Sequence, residues 1–228
     1  MGRQDTSQAV MKAVFPAGFA PVRADGFRAA AARAGVAKRL LDIALAGLLL
    51  VLLAPALLLV SLAVVLDSPG PLLFRQTRTG RNGQIFSILK FRSMHVMEDD
   101  AQVRQALEGD VRVTRVGRII RKLSLDELPQ LLNVITGDMS LVGPRPHAVA
   151  HDAYYGAAIS NYTVRQLVRP GITGWAQVNG ARGATPTLEV MQRRVDLDLW
   201  YVAHASLALD LLILARTPLA VLRPRNAV

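Results

Sequence analysis

Two adjacent carboxylates, Asp126 and Glu127, stand in the run Ser124-Leu125-Asp126-Glu127-Leu128-Pro129, just after Arg115, Arg118, Arg121 and Lys122. Neighbouring residues on a helix point about 100° apart, so the pair cannot share one task. One can attack a phosphorus atom, as in aspartyl-phosphate intermediates, while the other binds a metal or handles a proton. Cationic neighbours and Mg²⁺ would offset the repulsion between the two anions. A structural reading competes. Ser-x-x-Glu is a capping box, with Ser124 as N-cap and Glu127 at the third helical position, where acidic residues are favoured. On the hexapeptide alone the cap is the simpler reading, although Pro129 would shift the helix start toward Glu127.

Val142-Gly143-Pro144-Arg145-Pro146 sets one arginine between two prolines. Both rings fix φ and hold the loop extended, so Arg145 is pre-positioned, and its guanidinium fork matches phosphate oxygens. The alternative is a rigid turn with a solvated arginine. The stretch 168–180 combines Gly171, Gly174 and Gly180 with Trp175, Gln177 and Asn179. Glycines let backbone approach a ligand closely. Trp175 could stack on a base or sugar, or anchor a core. His147 and His151 lie four apart, a helical metal-ligand spacing, but Ala-Val-Ala separates them with no glutamate. Asp196 and Asp198 offer a candidate metal ligand on what is otherwise a solvated helix face.

These groups must be held by the rest of a 228-residue chain, 51% hydrophobic, which is too apolar for disorder. It has no cysteine, which excludes disulfides, thiolate metal sites and a cysteine nucleophile. The net charge of +10 is unevenly placed. Residues 1–42 carry +4 and 75–122 carry +6, whereas 43–74 carry only Asp67. Residues 43–66 hold no charge at all. As a helix these 24 residues would reach roughly 36 Å, enough for a bilayer core of about 30 Å. The run begins too far in, and is too long, for a cleaved signal peptide. Lys38 and Arg39 precede it; Arg75, Arg78 and Arg81 follow. A crossing helix would put one basic cluster on the disfavoured side. Pro55 removes a backbone hydrogen bond near the middle. The expectation is a re-entrant helix broken at Ala54-Pro55, with both flanks facing the cytoplasm and anionic lipid. The alternative is an ordinary kinked spanning helix. Asp42, at the mouth, is expected to pair with Lys38 or Arg39.

Residues 1–36 read as a mobile arm. Strands are expected over 72–74 and 84–91 around the turn Gly80-Arg81-Asn82-Gly83. Helices are expected over 98–108, 116–122, 128–135, 188–201 and 207–214, the last lying in the membrane interface. The Gly- and Pro-rich stretch 141–183 is expected to be irregular.

In this order the motifs resemble the bacterial sugar transferases, the monotopic phosphoglycosyl transferases. The matching residues are Lys38-Arg39-x-x-Asp42, Arg78-x-Gly80, Lys90-Phe91-Arg92-Ser93-Met94 and Thr114-Arg115-Val116-Gly117. They continue through Arg121-x-x-Ser124-Leu125-Asp126-Glu127-Leu128-Pro129-Gln130-Leu131, Asn133-Val134, Gly137-Asp138-Met139-Ser140 and Val142-Gly143-Pro144-Arg145-Pro146. Arg169-Pro170-Gly171-Ile172-Thr173-Gly174-Trp175 and Asp198-x-x-Tyr201 complete them. About residues 37–223 are covered.

The resemblance implies transfer of sugar 1-phosphate from a UDP-sugar to undecaprenyl phosphate, with release of UMP, as the first step of polysaccharide or glycan synthesis. Asp126 is then the nucleophile that takes up the phosphosugar, Glu127 completes the dyad, and Mg²⁺ is required, with Asp126 and Asp198 as its expected ligands. Arg121, Arg145, Arg115 and Lys90 are expected near phosphate. Pro144, Pro146, Arg169, Gly171, Thr173 and Trp175 are expected in the substrate loop. The implied fold is α+β: an arm over 1–36, a re-entrant helix over 37–67, a catalytic domain on the cytoplasmic face of the inner membrane over 68–223, and a tail over 224–228. The expected partners are the two substrates and membrane lipid, without nucleic acid; a homodimer is allowed. Two departures stand out. Ala54 replaces the serine that often precedes the break, and Asp110-Val111-Arg112 replaces a common Asp-Pro-Arg. Two other readings are a membrane-tethered basic module binding anionic lipid or nucleic acid, and a transferase that passes the sugar alone and releases UDP.

Overall fold

The computed structural model describes residues 35–95 and 109–222. The arm expected over 1–36 lies outside these residues up to residue 34, and the helix expected over 98–108 and the tail over 224–228 lie outside them altogether. The fold is mixed helix and sheet, as expected.

The expected break at Ala54-Pro55 is absent: helix α1 (Val36–Asp67) runs through Pro55 without interruption, because a proline costs one backbone hydrogen bond but its φ is helical. Its most apolar 18-residue window has mean hydropathy 3.0 and is 6% buried, and it is the one described helix long and apolar enough to cross a membrane. Most of its leucines face outward; only Asp42, Ala46 and Val64 are buried. Both ends are fastened to the same folded body. At the start, Lys38 Nζ donates to Asp210 Oδ2 at 2.7 Å and to the Val142 carbonyl at 3.1 Å. Arg39 donates to the carbonyls of Val134 and Ile135. Asp42 does not pair with either cation. Its Oδ1 accepts from Ser140 Oγ at 3.1 Å and from the Leu141 amide at 3.0 Å, because Lys38 and Arg39 are drawn to other acceptors. At the far end the Val116 amide donates to Asp67 Oδ2 at 3.0 Å. There Val64 packs with Phe91 and Ile120, and Arg92 Nη2 donates to the Val64 and Ser68 carbonyls.

Strands β1 (Leu73–Thr79) and β2 (Ile85–Phe91) form the expected hairpin, in register from Leu73 opposite Phe91 to Thr79 opposite Ile85. Asn82 takes φ 54° inside the turn, as Asn does more readily than most residues. The first strand is longer than 72–74 because pairing with β2 carries its polar residues along. Helix α2 (Arg115–Lys122) is capped by Thr114, whose Oγ1 accepts from the Gly117 amide at 2.8 Å. Helix α3 (Gln130–Thr136) ends at Gly137, which takes φ 101°.

The stretch 141–183 is more ordered than expected. It holds most of β3 (Ser140–Val142), helix α4 (Val149–Ala158), strand β4 (Gly171–Thr173) and the short helix α5 (Trp175–Val178). β3 and β4 pair in parallel, a long-range contact that local composition does not encode. Helix α6 (Leu188–His204) is followed by α7 (Leu207–Leu222), which passes beyond 214 and through Pro218. Leu131, Val134, Met139, Leu141, Leu197, Val202 and Ile213 form the main core beneath α1 and between α3, β3, α6 and α7.

Candidate active site

The two carboxylates sit in a sharp turn rather than at a helix cap. After α2 the chain reverses at Ser124, which takes φ 55° and makes no capping bond. This overturns the capping box. The Ser124 hydroxyl instead accepts from Arg182 Nη2, and Glu127 is drawn away to two cations. One 3₁₀ turn, Leu125–Glu127, then presents Asp126 and Glu127 to a cavity of about 490 Å³.

Lys90, Arg121, Arg145, Arg182 and Arg194 line this cavity with the carboxylates. They come from β2, the last turn of α2, the loop after β3, the loop after α5, and α6. Glu127 is fully engaged: Lys90 Nζ donates to Oε1 at 2.9 Å, and Arg145 grips both oxygens, with Nη1 2.9 Å from Oε2. Burial alone would raise the Glu127 pKa, but Arg145 and Lys90 outweigh it and hold the carboxyl well below its usual range. Asp126 is 7% exposed and accepts no hydrogen bond among the described residues. Burial first, and the Glu127 charge second, push its pKa up to about 6, against the pull of Lys90, Arg121 and Arg145. Two like carboxylates thus have separated properties: one fixed as an anion, one an unengaged anion at neutral pH. Such a split marks an acid/base or nucleophile assignment.

Arg145 is delivered by a tight backbone crossing. The Gly143 amide donates to the Thr173 carbonyl at 2.9 Å, and the Gly171 amide to the Pro144 carbonyl at 2.9 Å. A Cβ on Gly143 would strike the Arg169 carbonyl oxygen, and one on Gly171 would strike the Gly143 amide nitrogen. From behind, Arg165 Nη2 donates to the Arg145 carbonyl at 2.6 Å. Arg165 is itself fixed by Asp198 Oδ2, at 3.1 Å from Nε and 2.7 Å from Nη2.

With this geometry in view, the pattern of the bacterial sugar transferases matches residues 33–224. The chain belongs to the bacterial sugar transferase family. It is 58% identical over 190 residues to the UDP-glucose:undecaprenyl-phosphate glucose-1-phosphate transferase of Caulobacter vibrioides, covering 83% of this chain and 71% of that protein. The protein of the same name in Escherichia coli is 55% identical over 180 residues, 79% of this chain and 39% of its own length. The exopolysaccharide production protein PSS of Rhizobium leguminosarum bv. phaseoli is 45% identical over 186 residues, 80% of this chain and 93% of that one. This chain thus spans about two fifths of the Escherichia coli relative and most of the other two.

In this transferase the cavity brings together Asp126, Glu127, Arg121, Arg145, Lys90, Pro146 and Thr173. Arg115, Pro144, Arg169, Gly171, Trp175 and Asp198 are not on its wall. Arg169 Nε donates to the Gly137 carbonyl at 2.8 Å. Trp175 is 7% exposed and stacks on Trp200 with centroids 4.6 Å apart. Arg182 and Arg194 escaped the sequence reading. Each is a lone arginine outside any motif, brought in by the tertiary fold; only the length of the matched run hinted at them. His147 precedes α4 whereas His151 lies within it, so the two do not share a helix face.

No cluster of three His, Asp or Glu side chains suited to a cation occurs among the described residues. The donor set still fits Mg²⁺ of one kind. Glu127 is saturated by cations, so Asp126 is the available carboxylate, and Mg²⁺ is commonly held by one or two carboxylates plus substrate phosphates.

Proposed function

We propose that the chain transfers glucose 1-phosphate from UDP-glucose to undecaprenyl phosphate, releasing UMP, at the cytoplasmic face of the bacterial inner membrane. The carrying observation is Asp126: buried, without a hydrogen-bond partner among the described residues, ringed by cations, and with a pKa raised to about 6 by burial and the Glu127 charge. The names of the two most similar relatives cited above supply the sugar and the acceptor.

In the first step an Asp126 carboxylate oxygen attacks the β-phosphorus. The bond from that phosphorus to the bridging oxygen breaks, UMP leaves with the electron pair, and an acyl phosphate to the sugar phosphate forms. In the second, a phosphate oxygen of undecaprenyl phosphate attacks the same phosphorus and the Asp126 carboxylate is regenerated. Arg121, Arg145, Arg182 and Lys90 are disposed to receive the diphosphate, with guanidinium forks matching its oxygens. Glu127 holds Lys90 and Arg145 in place until then. Mg²⁺ held by Asp126 and the diphosphate would neutralise charge developing on the leaving UMP.

Topology follows from α1. Both of its ends are hydrogen-bonded to one folded body, which favours a helix that enters and leaves the bilayer on one side. The outward apolar side chains of its middle, such as Val51 and Leu58, then meet lipid. The direct test is to mix purified protein, Mg²⁺, undecaprenyl phosphate and UDP-glucose and to identify the nucleotide released. UMP is expected; UDP would mean that the sugar passes without its phosphate, and no nucleotide would refute the activity.

A further inference from the structure

The apolar part of the cavity wall has a direction. Phe74, Ile88, Phe91, Leu125, Leu128 and Ile172 line it, and none of them is exposed. Leu123, at the C-cap of α2, is on the same wall and is 47% exposed; among the described residues it is the one large apolar side chain that is both. The end of α7 adds Thr217, Ala220 and Val221 to the wall. One guanidinium ties the two helix ends together. Arg182 Nη2 donates to Ser124 Oγ, and Nη1 donates to the Ala220 carbonyl at 3.1 Å. Leu123 and Val221 are the sequence neighbours of the two bridged residues, so they share one rim of the cavity.

The helices that form this rim are fastened to α1. α2 meets its far end through the Val116 amide on Asp67 and the packing of Ile120 on Val64. α7 meets its start through Lys38 and Asp210. Both helices carry exposed apolar side chains. On α2, Ile119 lies one turn before Leu123, beside the exposed Arg115, Arg118 and Lys122. On α7, Leu211, Ala215, Leu219 and Leu222 recur at helical spacing along one exposed stripe. Basic and apolar faces of this kind suit the membrane interface.

The acceptor has the chemistry to occupy such a rim. A polyprenyl phosphate must bring its phosphate to Asp126 while its chain stays in lipid. Leu123 is three residues from Asp126, so their Cα atoms are at most roughly 11 Å apart. We propose that the first isoprene units of the acceptor leave the cavity over Leu123 and Val221, between the ends of α2 and α7, and continue along Ile119, Leu219 and Leu222 into the bilayer. This gives the transferase reading above a path for its lipid, and rests on that reading.

The test uses Leu123→Gln combined with Leu219→Gln. Both leucines are exposed, so the exchange empties no core. Leu132→Gln combined with Ile135→Gln is the control: both are exposed on α3 and neither is on the cavity wall. Donor and acceptor react in separate steps, so kcat/KM for each reads its own half. In nanodiscs the rim variant should lose about tenfold or more in kcat/KM for undecaprenyl phosphate, because apolar contact with the chain is removed, and stay within about twofold of wild type for UDP-glucose. The control should change neither. Equal losses for donor and acceptor, an unchanged acceptor value, or an equal acceptor loss in the control would overturn the path.

A second measurement does not depend on turnover. An analogue of undecaprenyl phosphate with a diazirine on its first isoprene unit is irradiated with wild-type protein in nanodiscs, and the labelled peptides are mapped by mass spectrometry. Label is expected on the peptides that hold Leu123 and residues 219–222, and undecaprenyl phosphate should displace it. Equal labelling by the matching alcohol, which lacks the phosphate, would mean ordinary bilayer contact and overturn the site, as would label anywhere but this rim. Phosphate-dependent label at the rim of a protein that releases no UMP would refute the transferase reading and leave the lipid path standing.

Discussion

Replacing Asp126 by asparagine should give a protein that is inactive and more stable. The carboxyl titrates near 6 in the fold against 3.8 for an unhindered aspartate, because burial and the Glu127 charge disfavour its ionised form. That is a difference of about two pKa units, or roughly 3 kcal/mol, carried by the folded state once the group is ionised. The sign follows from which state holds the proton more tightly. Below about pH 4 both states are protonated and there is no penalty. Between about 4 and 6 the unfolded chain loses its proton first, so stability falls as pH rises. Above 6 the full penalty applies. The isosteric amide removes it, so at pH 8 the variant should melt about 6–12 °C higher, taking 2–4 °C per kcal/mol for a chain of this size. Near pH 4 the gap should close. Thermal melts of both proteins in the same nanodisc, with EDTA present, read this out. A variant no more stable than wild type at pH 8, or equally shifted at both pH values, would refute the claim that the fold strains this carboxylate.

Three further outcomes follow from the same site. In Glu127→Gln the charge that helps raise Asp126 is gone while Lys90 and Arg145 remain, so the acid limb of the kcat/KM profile should move below its wild-type position near pH 6, with a lower plateau from the loosened cations; an unmoved limb would contradict the coupling. Asp198→Asn should leave the buried Arg165 charge unpaired and destabilise the fold by about 3–5 kcal/mol in chemical denaturation, whereas an unchanged fold with altered Mg²⁺ dependence would make Asp198 a metal ligand instead. Gly143→Ala should cost stability and activity together, by about 1–3 kcal/mol in unfolding measurements, since its Cβ meets backbone that cannot yield; a neutral variant would show that the β3–β4 crossing does not deliver Arg145.

What could be read from the sequence was what local pattern encodes. The 24-residue uncharged run gave α1, and Gly80-Arg81-Asn82-Gly83 gave the hairpin. The dyad and the Pro-Arg-Pro loop were found because adjacent carboxylates and an arginine between two prolines are unusual in themselves. What failed depended on partners distant along the chain. Ser124-x-x-Glu127 has the spacing of a capping box, but Lys90 and Arg145, 37 and 18 residues away, claim Glu127. Asp42 looked poised for its cationic neighbours, yet Ser140 and Leu141 hold it across 98 and 99 residues. Trp175 had equal claims on sugar and core until Trp200 was seen stacked against it. Arg182 and Arg194 carry no motif and become legible only when α6 and the loop before it fold over the dyad.

The claim on which the account turns is that the phosphosugar resides on Asp126 between donor and acceptor. Wild-type protein should be mixed with UDP-glucose and Mg²⁺ in the absence of undecaprenyl phosphate, quenched, and analysed by intact and peptide mass spectrometry. The account predicts a single hexose phosphate on the peptide containing Asp126, one equivalent of UMP released with it, and loss of the adduct when undecaprenyl phosphate is added. Turnover without any adduct, or an adduct on another residue, would contradict it.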